Sequence, residues 1–240
     1  MPNRIDVGEK LLKVRDLHGW YGESHVLHGM NLDVGKGEVV TLLGRNGAGK
    51  STTLKAIMGM LAKRSGSVRL RDSETISMRS DNIAHLGVAY CPEDRGIFAS
   101  LSAAENLMLP PTLRKGGMSI DDIYSLFPNL RERHNAPGTK LSGGEQQMLA
   151  IARILRTGSD FLLLDEPTEG LAPVIVQQIE EALKRLRATG YTIILVEQNY
   201  RFASMIADLH YIVENGRVVD RVENHSLDGK LDVLKKYLSV

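Results

Sequence analysis

The sequence predicts an α/β fold in which antiparallel strands precede a core of buried parallel strands, and three stretches carry that prediction. Val39 to Leu43 is a short β-branched and aliphatic run, as a strand buried on both faces would be. It passes through a glycine-rich loop into a helix, where Leu54, Ile57, Met58 and Leu61 recur at helical spacing. Phe161 to Leu164 and Tyr191 to Val196 are two further apolar runs, each followed at once by polar residues: Asp165-Glu166 and Glu197-Gln198-Asn199. Polar groups at the C-terminal ends of such strands sit where open α/β sheets bind ligands.

In chain order, residues 1 to 10 read as a polar tail. Leu11 to Leu17 alternates, with Leu12, Val14 and Leu17 as inward positions of a first strand. Trp20-Tyr21-Gly22 leads into a second alternating stretch, VLHGMNLDV, which turns at Gly35-Lys36-Gly37 into the buried strand. Ser67 to Leu70 reads as a strand, Ser80-Asp81-Asn82 as a helix start, and Leu86 to Cys91 as an apolar run. Ser102 and Glu105 fit a capping box for a helix reaching Leu109, stopped by Pro110-Pro111. A second helix is expected from Ser119 to Phe127, closed by Pro128, so that residues 95 to 138 form a small helical lobe inserted into the α/β core. Ser142 and Glu145 form another capping box, opening a helix through Met148, Leu149, Ile151, Ala152 and Leu155. Gly170 to Pro173 is a turn and Val174 to Ala188 a helix. After the last buried run come a helix near Arg201 to Ala207, a hairpin turning at Asn215-Gly216, and a helix with Leu227, Leu231, Leu234 and Leu238 on one face.

The chemistry concentrates in the loop after the first buried strand. Gly44, Gly49, Lys50 and Ser51 satisfy G-x-x-x-x-G-K-[ST] between strand and helix, the context that a phosphate-binding loop requires. Glycines let the backbone amides approach phosphate oxygens at a helix start, Lys50 reaches the β and γ phosphates, and the Ser51 hydroxyl is a Mg²⁺ ligand. Asp165 can hold the same Mg²⁺, and Glu166 can accept a proton from an attacking water. Two readings stay open elsewhere. Tyr21 can stack on a purine or simply close a strand, and the Ser142-Gly143-Gly144 helix start suits an anion or is a cap without a ligand.

Composition narrows the class. Thirty Lys and Arg against 29 Asp and Glu leave a net charge of +1, with no overall field to recruit nucleic acid or an anionic membrane. The single cysteine, Cys91, excludes an internal disulfide and suits a reducing compartment; beside Val88, Ala89 and Tyr90 it reads as an inert buried thiol. No apolar run nears the roughly 18 residues of a spanning helix, and residues 1 to 10 show no signal-peptide core. A cytoplasmic chain is expected, with any membrane role supplied through a partner.

Taken together, GRNGAGKS, LSGGEQQ and FLLLDE resemble the ATP-binding cassette (ABC) ATPases over nearly the whole length. The resemblance implies a P-loop NTPase fold with a RecA-like core, an N-terminal antiparallel β subdomain and an inserted α-helical subdomain. Residues 1–94 and 156–240 would form the first two, and 95–155 the helical part that ends in the signature helix. It also implies a head-to-tail dimer, with ATP between the phosphate loop of one copy and the signature of the other. Residue by residue, Tyr21 matches the adenine-stacking aromatic. Gly44, Asn46, Gly47, Ala48, Gly49, Lys50, Ser51 and Thr52 match the phosphate and Mg²⁺ loop, and Ser142, Gly143 and Gly144 the contacts to the opposite γ-phosphate. Asp165 matches the metal-associated aspartate and Glu166 the catalytic base. Glu93 stands where the family usually has glutamine, keeping an oxygen for Mg²⁺, and Gln198 where it usually has histidine, keeping a hydrogen bond but no proton charge. The motifs PEDRGIF, GLAP and VEQN are similar to the shorter ATP-binding subunit of branched-chain amino acid uptake systems, with urea and amide systems sharing these features. The implied partners are a second ABC ATPase chain, identical or different, and integral-membrane permease subunits on the inner face of the cell membrane, with no nucleic acid.

Overall fold

The computed structural model describes residues 10–226; the polar stretch before residue 10 and the helix expected over 227–238 lie outside the described residues. β1 (Lys10–Tyr21) and β2 (Ser24–Gly35) pair antiparallel. Leu12, Val14 and Leu17 all point inward, fully buried. The step from Val14 to Leu17 is three residues because the register shifts there and Asp16 takes φ 47. A matching three-residue step separates Leu27 from Met30 on β2, so irregularities in both strands keep the apolar faces in phase.

β3 (Val39–Leu43) is buried throughout and feeds α1 (Lys50–Ile57). This helix is shorter than its apolar spacing predicts. The Met60 and Gly59 amides donate to the Lys55 and Ala56 carbonyls, a Schellman-type end that leaves Leu61 buried but beyond the helix. β4 (Lys63–Leu70) and β5 (Ser73–Glu74) complete a four-stranded sheet of order β2-β1-β4-β5. α2 (Ser80–His85) and β6 (Val88–Cys91) return the chain to the core.

Four helices follow: α3 (Ala103–Met108), α4 (Ile120–Leu126), α5 (Pro128–Glu132) and α6 (Gly143–Leu155). Capping boxes close at Ser102/Glu105 and Ser142/Glu145 as expected, and a third at Ser119/Asp122. Pro128 does not merely end a helix. It occupies the first turn of α5, where its missing N–H costs nothing.

β7 (Phe161–Asp165), α7 (Pro173–Ala188), β8 (Thr192–Glu197), α8 (Tyr200–Ile206), β9 (Leu209–Glu214) and β10 (Arg217–Glu223) finish the described chain. The larger sheet runs β10-β9-β3-β8-β7-β6, parallel except for β10. Its central strands are apolar along most of their length because they serve two cores; buried Thr41 on β3 is met by His210 Nδ1 at 2.6 Å. Phe161, Leu163, Ile194 and Val196 face the cluster shared with α1 and the antiparallel sheet, while Leu162, Leu164, Ile193 and Leu195 face the cluster of α6 and α7.

The Asn215-Gly216 hairpin has φ 47 and 70, the paired positive values of a type I′ turn. Its tip is wedged between β2 and the phosphate loop. Gly216 N–H donates to Ala48 O at 2.8 Å, and Gly216 O accepts from His28 N–H at 2.9 Å. A Cβ at this position would lie 2.0 Å from the Val26 carbonyl oxygen. Gly216→Ala should therefore cost more than about 1 kcal/mol in urea unfolding, and Gly22→Ala, with positive φ but open space around it, should cost less.

Candidate functional site

At the C-terminal edge of the parallel strands lies a cavity of about 320 Å³, walled on one side by the loop and first turn of α1 and on the other by Glu93, Glu166 and Glu169. Gly49, at φ 103, caps α1 without any side-chain acceptor, and Asn46, Gly47, Gly49, Lys50, Ser51 and Thr52 all line the space. The loop is also held from behind. Gly44 lies so close to β9 that a Cβ would fall 2.3 Å from Val213 O, and Ala48 gives its carbonyl to Gly216.

Lys50 is almost fully buried and its ammonium is shared: Nζ donates to Gly44 O at 2.9 Å and Arg45 O at 3.1 Å, and lies 3.4 Å from Glu166 Oε1. Asp165, also buried, accepts from Ser51 Oγ at 2.7 Å on Oδ1 and from Tyr90 Oη at 2.9 Å on Oδ2. Burial pushes its carboxyl up from the ordinary aspartate range, and the two hydroxyl bonds oppose that push. Serine hydroxyl and aspartate carboxylate are hard oxygen donors on adjoining elements, a donor set that suits Mg²⁺.

Glu166 follows at φ 45, a left-handed conformation uncommon outside glycine. Its own N–H continues the sheet by donating to Val196 O at 3.0 Å, while its side chain is turned into the cavity. Gln198 Nε2 donates to Glu166 Oε2 at 2.9 Å, so Lys50 and Gln198 hold the two carboxylate oxygens from opposite sides. Burial alone would raise this carboxyl, but hydrogen bonds from Glu169 and Gln198 and the charge of Lys50 bring it below the usual glutamate range.

Glu169 is a site residue that the sequence reading missed. The turn closed by Glu169 N–H to Glu166 O at 3.2 Å places it beside Glu166 in the same wall. Its carboxyl, hydrogen-bonded to Glu166, is pushed up to about 7. The only sequence sign was its spacing of three from Glu166 ahead of Gly170. Tyr90 was missed as well, because alternation along β6 gives no sign that its hydroxyl reaches a neighbouring strand. Glu197, buried at the end of β8, accepts from Thr168 Oγ1 at 2.7 Å and ties the turn after β7 to the strand bearing Gln198.

Four expected contacts are not gathered here. Tyr21 ends β1 with 47% of its surface exposed and does not line the cavity, where Val26 is the wall contributed by β2. Ser142, Gly143 and Gly144 open α6 away from the cavity wall; Gly144 packs so closely on Ile175 that a Cβ would lie 2.7 Å from it. Glu93 lines both the cavity and an adjoining groove shared with Tyr90 and Asp165.

The ABC transporter family profile matches residues 27–169. The chain is 44% identical to the high-affinity branched-chain amino acid transport ATP-binding protein BraG of Pseudomonas aeruginosa, over 83% of this chain and 87% of that protein. It is 38% identical to the probable branched-chain amino acid transport ATP-binding protein LivF of Archaeoglobus fulgidus, over 87% and 90%. It is also 31% identical to the lipopolysaccharide export system ATP-binding protein LptB of Escherichia coli, over 87% and 88%. Among solved structures, a dimeric ATP-binding cassette in a post-hydrolysis state with ADP and Pi superimposes with TM-score 0.78 at 25% identity, covering 89% of this chain and 98% of that one.

The Glu166–Glu169 pair predicts a pH signature. Glu169 titrates in the folded chain at about 7 against an ordinary 4.5, so the stabilisation from the shared proton is complete below about 4.5 and lost as pH rises through about 7. Glu169→Gln cannot ionise. Its melting temperature should match the parent at pH 5 and exceed it at pH 8; a gap that does not change with pH would contradict the shared proton.

Proposed function

The chain belongs to the ABC transporter family, and from that premise we propose that it is the ATP-hydrolysing subunit of a membrane importer for branched-chain or other amino acids. The family makes it an ATP-binding ATPase that dimerises. The observation that carries the catalytic reading is Glu166, an ionised carboxylate held between Lys50 and Gln198 on the wall of the phosphate-loop cavity. The 44% identity to BraG supports amino acids as cargo.

In this reading the α1 amides and Lys50 bind the β and γ phosphates. Ser51 and Asp165 hold Mg²⁺, with Glu93 offering a further oxygen at the rim. When bound, the metal neutralises charge on the phosphate oxygens. Glu166 orients the attacking water and takes its proton. Gln198 keeps the carboxylate aimed but carries no proton itself. Tyr21 offers its exposed ring to adenine.

Ser142, Gly143 and Gly144 act on the nucleotide of a second cassette, which their position outside their own cavity supports. Residues 95–155, containing α3 to α6, form the helical subdomain, and residues 1–94 and 156–240 the remainder. No helix among the described residues is long and apolar enough to cross a membrane. The transporter relatives support permease subunits as partners and a position on the cytoplasmic face of the membrane.

A second reading, an ATP-gated dimerising subunit with little turnover of its own, is favoured by Gln198 in place of a group that can carry charge. The 31% identity to LptB supports export as the competing direction. ATPase assays on the chain alone and with its permease separate these readings, and leucine uptake by vesicles bearing the complex tests cargo and direction. Glu166→Gln should lower kcat at least about 100-fold while retaining bound ATP, and Lys50→Ala should lose ATP binding. Parent-like turnover by Glu166→Gln would overturn its role as base.

A further inference from the structure

Tyr90 stands on β6, the edge strand beside β7, with its ring packed against the core cluster that includes Leu54 and Leu163. Its hydroxyl crosses to the next strand and donates to Asp165 Oδ2 at 2.9 Å, while Oδ1 takes the Ser51 hydroxyl at 2.7 Å. One carboxylate is thus fixed by two hydroxyls from different elements. Oδ1 faces α1 and the phosphate loop, and Oδ2 faces away. Of the side-chain donors to Asp165 among the described residues, Tyr90 is the one on Oδ2, so removing it frees the carboxylate to rotate about its terminal torsion, which is soft in aspartate.

We propose that Tyr90 is a positioning residue for the divalent cation of the nucleotide site, its hydroxyl holding the plane of the Asp165 carboxylate so that Oδ1 stays turned toward Ser51. This rests on the reading that Ser51 and Asp165 hold Mg²⁺. Outer-shell hydrogen bonds to metal-binding groups are typically worth 10- to 100-fold in metal affinity. A tyrosine whose hydroxyl merely finds a buried acceptor would instead affect stability without any preference for the metal-loaded state.

The full-length chain and Tyr90→Phe, which keeps the ring and removes one oxygen, separate these cases. The affinity for a non-hydrolysable fluorescent ATP analogue is measured in EDTA and at saturating Mg²⁺, with the melting temperature as a check on folding. In the parent, Mg²⁺ should tighten binding. In Tyr90→Phe the EDTA affinity should be unchanged and the tightening by Mg²⁺ about tenfold smaller. The same Mg²⁺ effect in both proteins, or an equal loss in EDTA and in Mg²⁺, would overturn the role of Tyr90 alone. A parent that shows no Mg²⁺ effect would overturn the metal reading and this inference with it.

Discussion

The burial of one ammonium group sets the terms for this site. Lys50 retains 4% of its surface, and a cation so enclosed must be met by acceptors, because desolvation penalises its charged form. Two are carbonyls of its own loop, Gly44 and Arg45, which oblige the loop to wrap back over the side chain. The third is Glu166, brought from the end of β7, two strands away across the sheet. The loop, the helix and the carboxylate are therefore one electrostatic unit. Under the proposed function, a polyanionic phosphate entering the cavity would compete with Glu166 for Lys50 and so free that carboxylate for a proton.

The sheet makes this unit possible. β3, β8 and β7 lie side by side and parallel, so their C-terminal ends bring the phosphate loop, Gln198 and the Asp165-Glu166 pair to one edge. Parallel pairing between two cores requires strands that are apolar on both faces, which is why polar residues begin abruptly where each strand stops. The loop is braced from the opposite side by Gly216, whose amide and carbonyl connect Ala48 to β2. The antiparallel sheet and the phosphate loop thereby share a single hairpin tip.

Three carboxylates near the cavity have distinct environments. Asp165 is buried and receives two hydroxyls, Glu166 receives an amide and an ammonium, and Glu169 borrows a proton with Glu166 from an exposed turn. The three carboxylates thus differ in what they meet: two hydroxyls, an amide with an ammonium, and a neighbouring carboxyl. Gln198 bonds Glu166 through its amide and brings no titrating group to this edge.

Local rules fixed much of this chain from sequence alone. The phosphate loop, the capping boxes at Ser102 and Ser142, the Asn215-Gly216 turn and the two-faced strands are set by neighbours within a few residues, and all are legible in order along the chain. The apolar residues of the first strand also named Leu12, Val14 and Leu17 as core, although the step to Leu17 breaks alternation and relies on the register shift at Asp16. Pro128 closes α4 as expected and also opens α5, a second role that helix-stop rules do not carry, and the end of α1 depended on carbonyl capping that periodicity does not carry. Tyr90 and Glu169 were invisible as site residues for another reason: a hydroxyl meeting an aspartate on an adjacent strand, and a carboxylate folded back by a left-handed residue, are contacts made by strand order and backbone turn. Sequence determined which groups could bind phosphate, metal and a proton. Only the tertiary structure decided which oxygen of each carboxylate faces which partner, because hydrogen-bond geometry over about 3 Å is set by packing between elements distant along the chain.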